Sequence, residues 1–420
     1  MATRIIHVHA DWAGLGGPVP LGELRVDVVR GRESYAFTYA DGWLRHGARV
    51  SLDPGLQLFS GPQYPAADRE AFGMFLDSAP DRWGRTLMQR REAALARNDE
   101  RPARRLLESD HLLGVADLAR MGALRFSLAP HGPFLATDHA GAIPPIARLR
   151  RLQQAAWTVE DDDADDAEHD PALDLLLAPG SSLGGARPKA SVVDPEGRLW
   201  IAKFPSRGDA VDKGAWEYVV LRLAQRCGVV VPEAGLLRFG RGGHTFLSRR
   251  FDRDKSGSRI HFASAMTLLG RRDGDDGRAG ASYLELAELL MRSGARVNED
   301  LAQLWTRIVF HICVGNTDDH LRNHGLLLTP DGWRLSPAYD LNPEPDGAGL
   351  SLNIDEHDDR LSLELAVSVA HHFRVDAGTA ARRAKRIAGL VGKHWRELAT
   401  EARIGRTAIE GMAQAFRTKP

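Results

Sequence analysis

The chain is poor in cysteine, with two in 420 residues. That excludes a disulfide-built scaffold, and Cys227 and Cys313 both fall in apolar helical patterns, so no bond between them is expected and a reducing cytoplasm suits the usage. Long apolar runs are missing too: none approaches the roughly 18 residues needed to span a bilayer. The first residues, Met-Ala-Thr-Arg-Ile-Ile-His-Val, lack an uninterrupted signal-peptide core and read as a first strand. Neither sign of charge prevails, with 55 Lys plus Arg against 56 Asp plus Glu, so no global field draws the chain to nucleic acid or membrane. An internal repeat is absent as well. These absences leave a cytoplasmic protein long enough for two or three domains, each with a full core.

What is present changes along the chain. Residues 3–60 read as β-rich, with Leu24–Val29 and Ser34–Tyr39 alternating about a turn at Arg30–Glu33. From Asp68 to about Glu108 the pattern is helical, with Phe72, Phe75, Leu76, Leu87 and Met88 at helical spacings. The arginine surplus at 90–105 reads as a solvated helix side, and the acidic run Glu160–Asp170 as an exposed linker. Alternation returns at Lys189–Val193 and Leu199–Phe204 about Asp194-Pro-Glu-Gly197, a hairpin signal. A helix is predicted from Lys213 to Cys227 with Gly228 as its stop, then a hairpin at Gly235–Phe239 and Thr245–Ser248. Past Arg253 strands become rare, and helices are predicted over 281–293, 298–314, 361–372 and 376–417. The layout is α+β.

Two regions carry chemistry. Gly180-Ser-Ser-Leu-Gly-Gly-Ala-Arg-Pro-Lys189 lacks the Walker A order, but its glycines would let backbone amides approach phosphate oxygens, or else simply make a flexible connection. The next hairpin carries Lys203 at a strand end among apolar neighbours, within reach of phosphates under the loop or merely facing outward. Glu217, fourteen residues on, could pair with Lys203 or face solvent.

The second region is Asn316-Thr-Asp-Asp-His-Leu-Arg-Asn323, followed seventeen positions later by Asp340. It emerges from a helix whose apolar face (Leu301, Leu304, Trp305, Ile308, Val309, Ile312) predicts burial, with Gly315 ending it. Asp318 would orient an attacking hydroxyl, while Asn323 and Asp340, hard oxygen ligands, would hold Mg²⁺ against phosphates. Two short strands, Gly325–Leu328 and Trp333–Leu335, would return Asp340 beside Asn323. Asp318, Asp319, His320 and His324 match no standard zinc spacing. His320 reads as a loop anchor or a general base, and Asp319 as a solvated neighbour.

These motifs resemble the HipA-like family of serine/threonine kinases, toxins of bacterial toxin–antitoxin pairs. The resemblance rests on Ser182-Leu-Gly-Gly-Ala-Arg-Pro-Lys189, Ile201-Ala-Lys-Phe-Pro205, Arg250-Phe-Asp-Arg253, Asp318-Asp-His-Leu-Arg-Asn323 and Tyr339-Asp340, and covers roughly residues 20–410. Phe75-Leu-Asp-Ser-Ala-Pro-Asp-Arg-Trp-Gly84 resembles the family's N-terminal portion. The resemblance implies a two-lobed kinase-like fold: an N-terminal subdomain at 1–110, an N-lobe at 111–253 and a helical C-lobe at 254–420. Ser182, Gly184, Gly185, Ala186, Lys189 and Lys203 would contact ATP, with Arg249 and Phe251 at an adenine hinge and His320 and Arg322 nearby. Asp318 would be catalytic, Asn323 and Asp340 would bind Mg²⁺, and Ser182 or its neighbour Ser181 would be autophosphorylated. The implied partners are a protein substrate and a helix-turn-helix antitoxin, with DNA reached only through the antitoxin. Arg322 departs from the family's lysine, presenting a planar fork in place of a point charge. Two alternatives stay open: a small-molecule, aminoglycoside-type phosphotransferase, and a nucleotide-binding regulator.

Overall fold

The computed structural model describes residues 2–46, 51–135, 143–160, 176, 185–240 and 242–416. The chain forms two compact units, Met1–Arg207 with Asp252–Ala263, and Gly208–Phe251 with Ser264–Pro420. The acidic run after Glu160 and the loop serines Ser181 and Ser182 lie outside the described residues.

The first unit opens with three long strands, β1 (Ala2–Ala10), β2 (Val19–Val29) and β3 (Arg32–Tyr39), later joined by β4 (Leu124–Ser127). They make an antiparallel sheet in the order β3-β2-β1-β4. Arg30 and Gly31 both have positive φ (51° and 75°), the twist that closes a tight two-residue hairpin. Alternation puts Ile6, Val8, Leu24, Val26 and Phe37 wholly out of solvent. Phe37, Phe72, Phe75 and Phe126 meet edge-on or tilted over that face. Each such ring contributes roughly 1.5–3 kcal/mol of burial.

The 68–108 stretch is not one helix. Pro80 separates Gly73–Ser78 from Arg82–Asn98, since a proline cannot continue a helix. Its arginine surplus is partly neutralised locally: Glu92 meets Arg101 at 2.6 Å and Arg104 at 3.6 Å. A second hairpin pairs Lys189–Val193 with Leu199–Lys203. Its turn is held by Asp194, whose Oδ1 accepts the N–H groups of Glu196 and Arg198.

The second unit is mainly helical. Asp212 caps the Lys213–Cys227 helix, and Gly228 closes it in the left-handed region (φ 87°). The hairpin Ala234–Arg238 with His244–Arg249 follows. Helices Tyr283–Ser293, Val297–Val314 and Ala377–Glu401 pack about Trp305, Ile308 and Val309, all fully buried. Trp395 stacks on Phe416 at 4.3 Å. The helix predicted over 376–417 stops at Glu401 and resumes as Arg406–Gly411, because Arg403 takes a left-handed φ of 58°. Both cysteines are free and buried. Among the described residues no helix is long and apolar enough to cross a membrane.

Candidate active site

In the second unit the site begins with the buried helix Val297–Val314. Gly315 ends it at φ +60°, and a Cβ there would meet the Ala415 carbonyl oxygen at 2.8 Å, so both backbone and space call for glycine. The next residue, Asn316, is wholly buried. Its backbone N–H donates to His311, and its Oδ1 accepts the N–H of Asn342 at 3.1 Å.

That bond is one of three that bring the second carboxylate to the loop. The hairpin Gly325–Thr329 with Gly332–Leu335 reverses the chain. Buried Arg307 donates to the Ser336 carbonyl, and the Tyr339 hydroxyl donates to the Arg322 carbonyl at 2.7 Å. The Tyr339–Asp340 corner therefore lies against the 316–323 loop. Asp340 has a left-handed φ of 57°, a conformation non-glycine residues hold only where surrounding structure imposes it. The Asn342 amide donates to Asp340 Oδ1 at 3.1 Å.

Asp318 and Asp319 are neighbours with opposite surroundings. The Asp318 side chain is exposed and accepts no hydrogen bond among the described residues. Crowding of the loop beneath it still desolvates the carboxyl and raises its pKa; Asp340 and Asp319 raise it further, while His320 and Lys213 oppose them. Asp319 is 1% exposed. Its Oδ2 accepts the Tyr283 hydroxyl at 2.6 Å and His324 Nε2 at 2.8 Å, and His311 Nδ1 lies 2.8 Å from the same oxygen. Burial alone would push this carboxyl up, but the two imidazoles hold it well below the usual range. The reading of Asp319 as a solvated neighbour is thus corrected: it is the post on which the loop is built.

Asn323 is buried, and its Nδ2 donates to the Asp318 carbonyl at 2.9 Å. With the amide so oriented, its Oδ1 accepts nothing among the described residues. Among those residues no three His, Cys, Asp or Glu side chains form a metal-binding cluster, so a transition-metal reading of Asp318, Asp319, His320 and His324 has no support here. Two carboxylates and a carboxamide oxygen do suit a hard cation that completes its shell with phosphate oxygens and water. Arg322 sits 3.1 Å from Asp273. Phe251 packs at 5.4 Å from the Tyr339 ring, and Arg249 meets Glu233 at 3.3 Å. Glu217 is buried within its helix.

In the first unit Gly185 and Ala186 are exposed, and Lys203 is half-buried at its strand end. Lys189, expected to contact ATP, is instead closed to solvent: its ammonium lies 2.8 Å from Asp81 Oδ2 and 2.9 Å from the Gly185 carbonyl. Its charge is already engaged inside the unit. Asn316, His311, Tyr283 and Asp81 escaped sequence reading; only the helical register of His311 before Gly315 hinted that it points inward.

The family model described as HipA-like C-terminal domain matches residues 181–416. A "Putative kinase" of Haemophilus influenzae is 26% identical over 189 residues, 40% of this chain and 54% of the relative. The "Serine/threonine-protein kinase toxin HipA" of Shewanella oneidensis is 27% identical over 177 residues, 37% of each. The match thus spans about half or less of these curated relatives' length. Among solved structures, a chain from the Shewanella oneidensis complex of HipA, HipB and operator DNA aligns over 98% of this chain and 94% of its own, with TM-score 0.65 and 18% identity. That likeness shows that the chain shares the α+β fold of the HipA chain.

Proposed function

The chain belongs to the family of the HipA-like C-terminal domain, and from that premise we propose that it is an ATP- and Mg²⁺-dependent serine/threonine protein kinase. The observation that carries the reading is the convergence of Asp318, Asn323 and Asp340 on one braced loop, with the Asp318 carboxylate open to solvent and Asn323 Oδ1 unclaimed. Magnesium held by Asn323 and Asp340 would draw charge off the transferring phosphoryl group. Asp318 orients the acceptor hydroxyl and takes its proton as the new O–P bond forms and the bond to the leaving ADP breaks. A carboxylate whose pKa is raised is a better proton acceptor than an ordinary one.

In this proposal Lys203 meets the nucleotide phosphates, Gly184, Gly185 and Ala186 cover them, and Arg249 with Phe251 borders the adenine. His320 and Arg322 flank the phosphates, and Ser182 or Ser181 is the autophosphorylation site. The likeness to a HipA chain solved in complex with HipB and operator DNA supports an antitoxin partner of the HipB kind, with DNA contacted through it, and the three-part division at 110 and 253 remains the functional partition we favour.

The test is incubation with γ-labelled ATP and Mg²⁺, wild type against Asp340→Ala, with a casein-like protein and an aminoglycoside as parallel acceptors. The wild type is expected to label protein and itself on Ser181 or Ser182, and Asp340→Ala to lose at least about a hundredfold in rate. Transfer to the aminoglycoside alone would overturn the protein-kinase reading. Equal rates for the two proteins would overturn the assignment of Asp340.

A further inference from the structure

The segment Phe75-Leu-Asp-Ser-Ala-Pro-Asp-Arg-Trp-Gly84 has no part in the proposed reaction, yet two of its residues grip the end of the glycine-rich stretch. Asp81 caps the helix Arg82–Asn98, its Oδ1 accepting the Gly84 N–H at 2.8 Å. Its Oδ2 faces Lys189 Nζ at 2.8 Å, and the two side chains are 0% and 1% exposed. The same ammonium donates to the Gly185 carbonyl at 2.9 Å. Trp83 Nε1 donates to the Lys189 carbonyl at 3.0 Å, so the lysine is held at both its backbone and its tip. Around it, the Phe204 N–H donates to the Pro188 carbonyl at 2.8 Å, and Arg187 Nε donates to the Phe204 carbonyl at 3.1 Å.

A fully buried ion pair is a poor way to gain stability, because desolvating both charges offsets most of their attraction. Two apolar side chains of similar size would serve packing as well. What this pair does that they could not is fix the Gly185 carbonyl, through a cation whose place is set by a helix cap. The lysine sits at the first position of its strand, opposite Lys203 in the ladder. Whatever fixes Lys189 therefore also sets the register between the loop's end and the strand that carries Lys203.

We infer that Asp81, Trp83 and Lys189 form an anchor for the C-terminal foot of the glycine-rich loop, and that the 75–84 segment thereby governs ATP affinity as a set of positioning residues. The inference rests on the kinase reading above. It also gives whatever binds the N-terminal helices a physical route to the loop: displacement of Asp81 would release Lys189 and Gly185 together.

The test is calorimetric titration of the full chain with ATP and Mg²⁺, beside KM and kcat for phosphate transfer, in Asp81→Asn, Trp83→Phe and the double variant Asp81→Asn with Lys189→Met. Asp81→Asn is expected to raise both Kd and KM for ATP about tenfold, with kcat at saturating ATP within about twofold. Trp83→Phe, which loses the indole donor and part of the ring while keeping an aromatic side chain, is expected to raise them about threefold. The double variant is expected to be no worse than Asp81→Asn, because the two residues act through one contact. A folded Asp81→Asn that binds ATP as the wild type does, or loses kcat with Kd unchanged, overturns the inference. If Asp81→Asn fails to fold, Trp83→Phe decides, and an unchanged Kd overturns it. A wild type that binds no ATP at all overturns the kinase reading and the inference with it, whereas tight wild-type binding indifferent to these substitutions overturns the inference alone.

Discussion

Replacing Asp319 with alanine tests how the catalytic loop is held. The substitution deletes one oxygen on which Tyr283, His324 and His311 converge at 2.6–2.8 Å. All four side chains are essentially closed to water, so the orphaned donors find no solvent in exchange. A hydrogen bond to a charged acceptor contributes about 1.5–3 kcal/mol. Two such bonds, from Tyr283 and His324, and the close approach of His311 to a single oxygen do not add, because the groups compete for the same lone pairs. The better guide is the cost of removing one partner from a buried ionic cluster, about 3–5 kcal/mol. For a unit of this size a kilocalorie lowers the melting temperature by about 2–4 °C, so the expected drop is on the order of 6–20 °C.

The assay is chemical and thermal unfolding of Asp319→Ala and Asp319→Asn beside the wild type. Asparagine keeps the shape and one acceptor, so it should lose about half as much. The sign with pH is also fixed. Asp319 titrates well below its ordinary 3.8 in the folded chain, so its stabilisation is in full force above about pH 4 and fades only as pH falls through the native value. The carboxylate's own titration therefore adds no pH dependence to the alanine variant's deficit between pH 6 and pH 8. A melting temperature within about 2 °C of wild type would refute the reasoning, since it would mean that the three groups are satisfied without the carboxylate.

Two further outcomes follow from single residues. His261 is 1% exposed, and burial pushes its pKa down to about 3 from 6.5, so the folded chain binds fewer protons than the unfolded one below pH 6.5 and stability must fall with acidification. At pH 5 the cost is about 2 kcal/mol relative to pH 7; His261→Phe, which can still stack on Trp12, should remove that much of the acid sensitivity in urea titrations at the two pH values, and parallel losses in both proteins would refute it. Gly315→Ala places a Cβ at φ +60° and 2.8 Å from the Ala415 carbonyl oxygen, which should cost about 2–4 kcal/mol by unfolding midpoint, and an unchanged midpoint would show that the helix end relaxes freely.

How much of this was legible depends on the range of the force concerned. The Arg30-Gly31 turn, the hairpin at 194–197 and the helix closed by Gly228 are set by neighbours a few residues apart, and the sequence pattern located each within a residue or two. The split of the last long helix falls where Gly405 stands, a breaker that the long apolar periodicity overrode in the sequence pattern; Arg403 takes the left-handed φ and Gly405 caps the helix Arg406–Gly411. At the site the limit is sharper. Asp318 and Asp319 are the same residue type in adjacent places, and nothing in their spacing says which one faces water. In the fold Asp319 meets Tyr283, thirty-six residues earlier, and Asp318 is left exposed. Lys189 repeats the lesson at longer range: its partner Asp81 lies 108 residues away. A lysine beside a glycine-rich loop reads as a phosphate ligand until the counter-charge that already holds it is located. Motif spacing therefore identifies which residues a reaction of this class could use. Whether a given charge is available to a substrate is a property of burial and distant partners, and it has to be read from the fold.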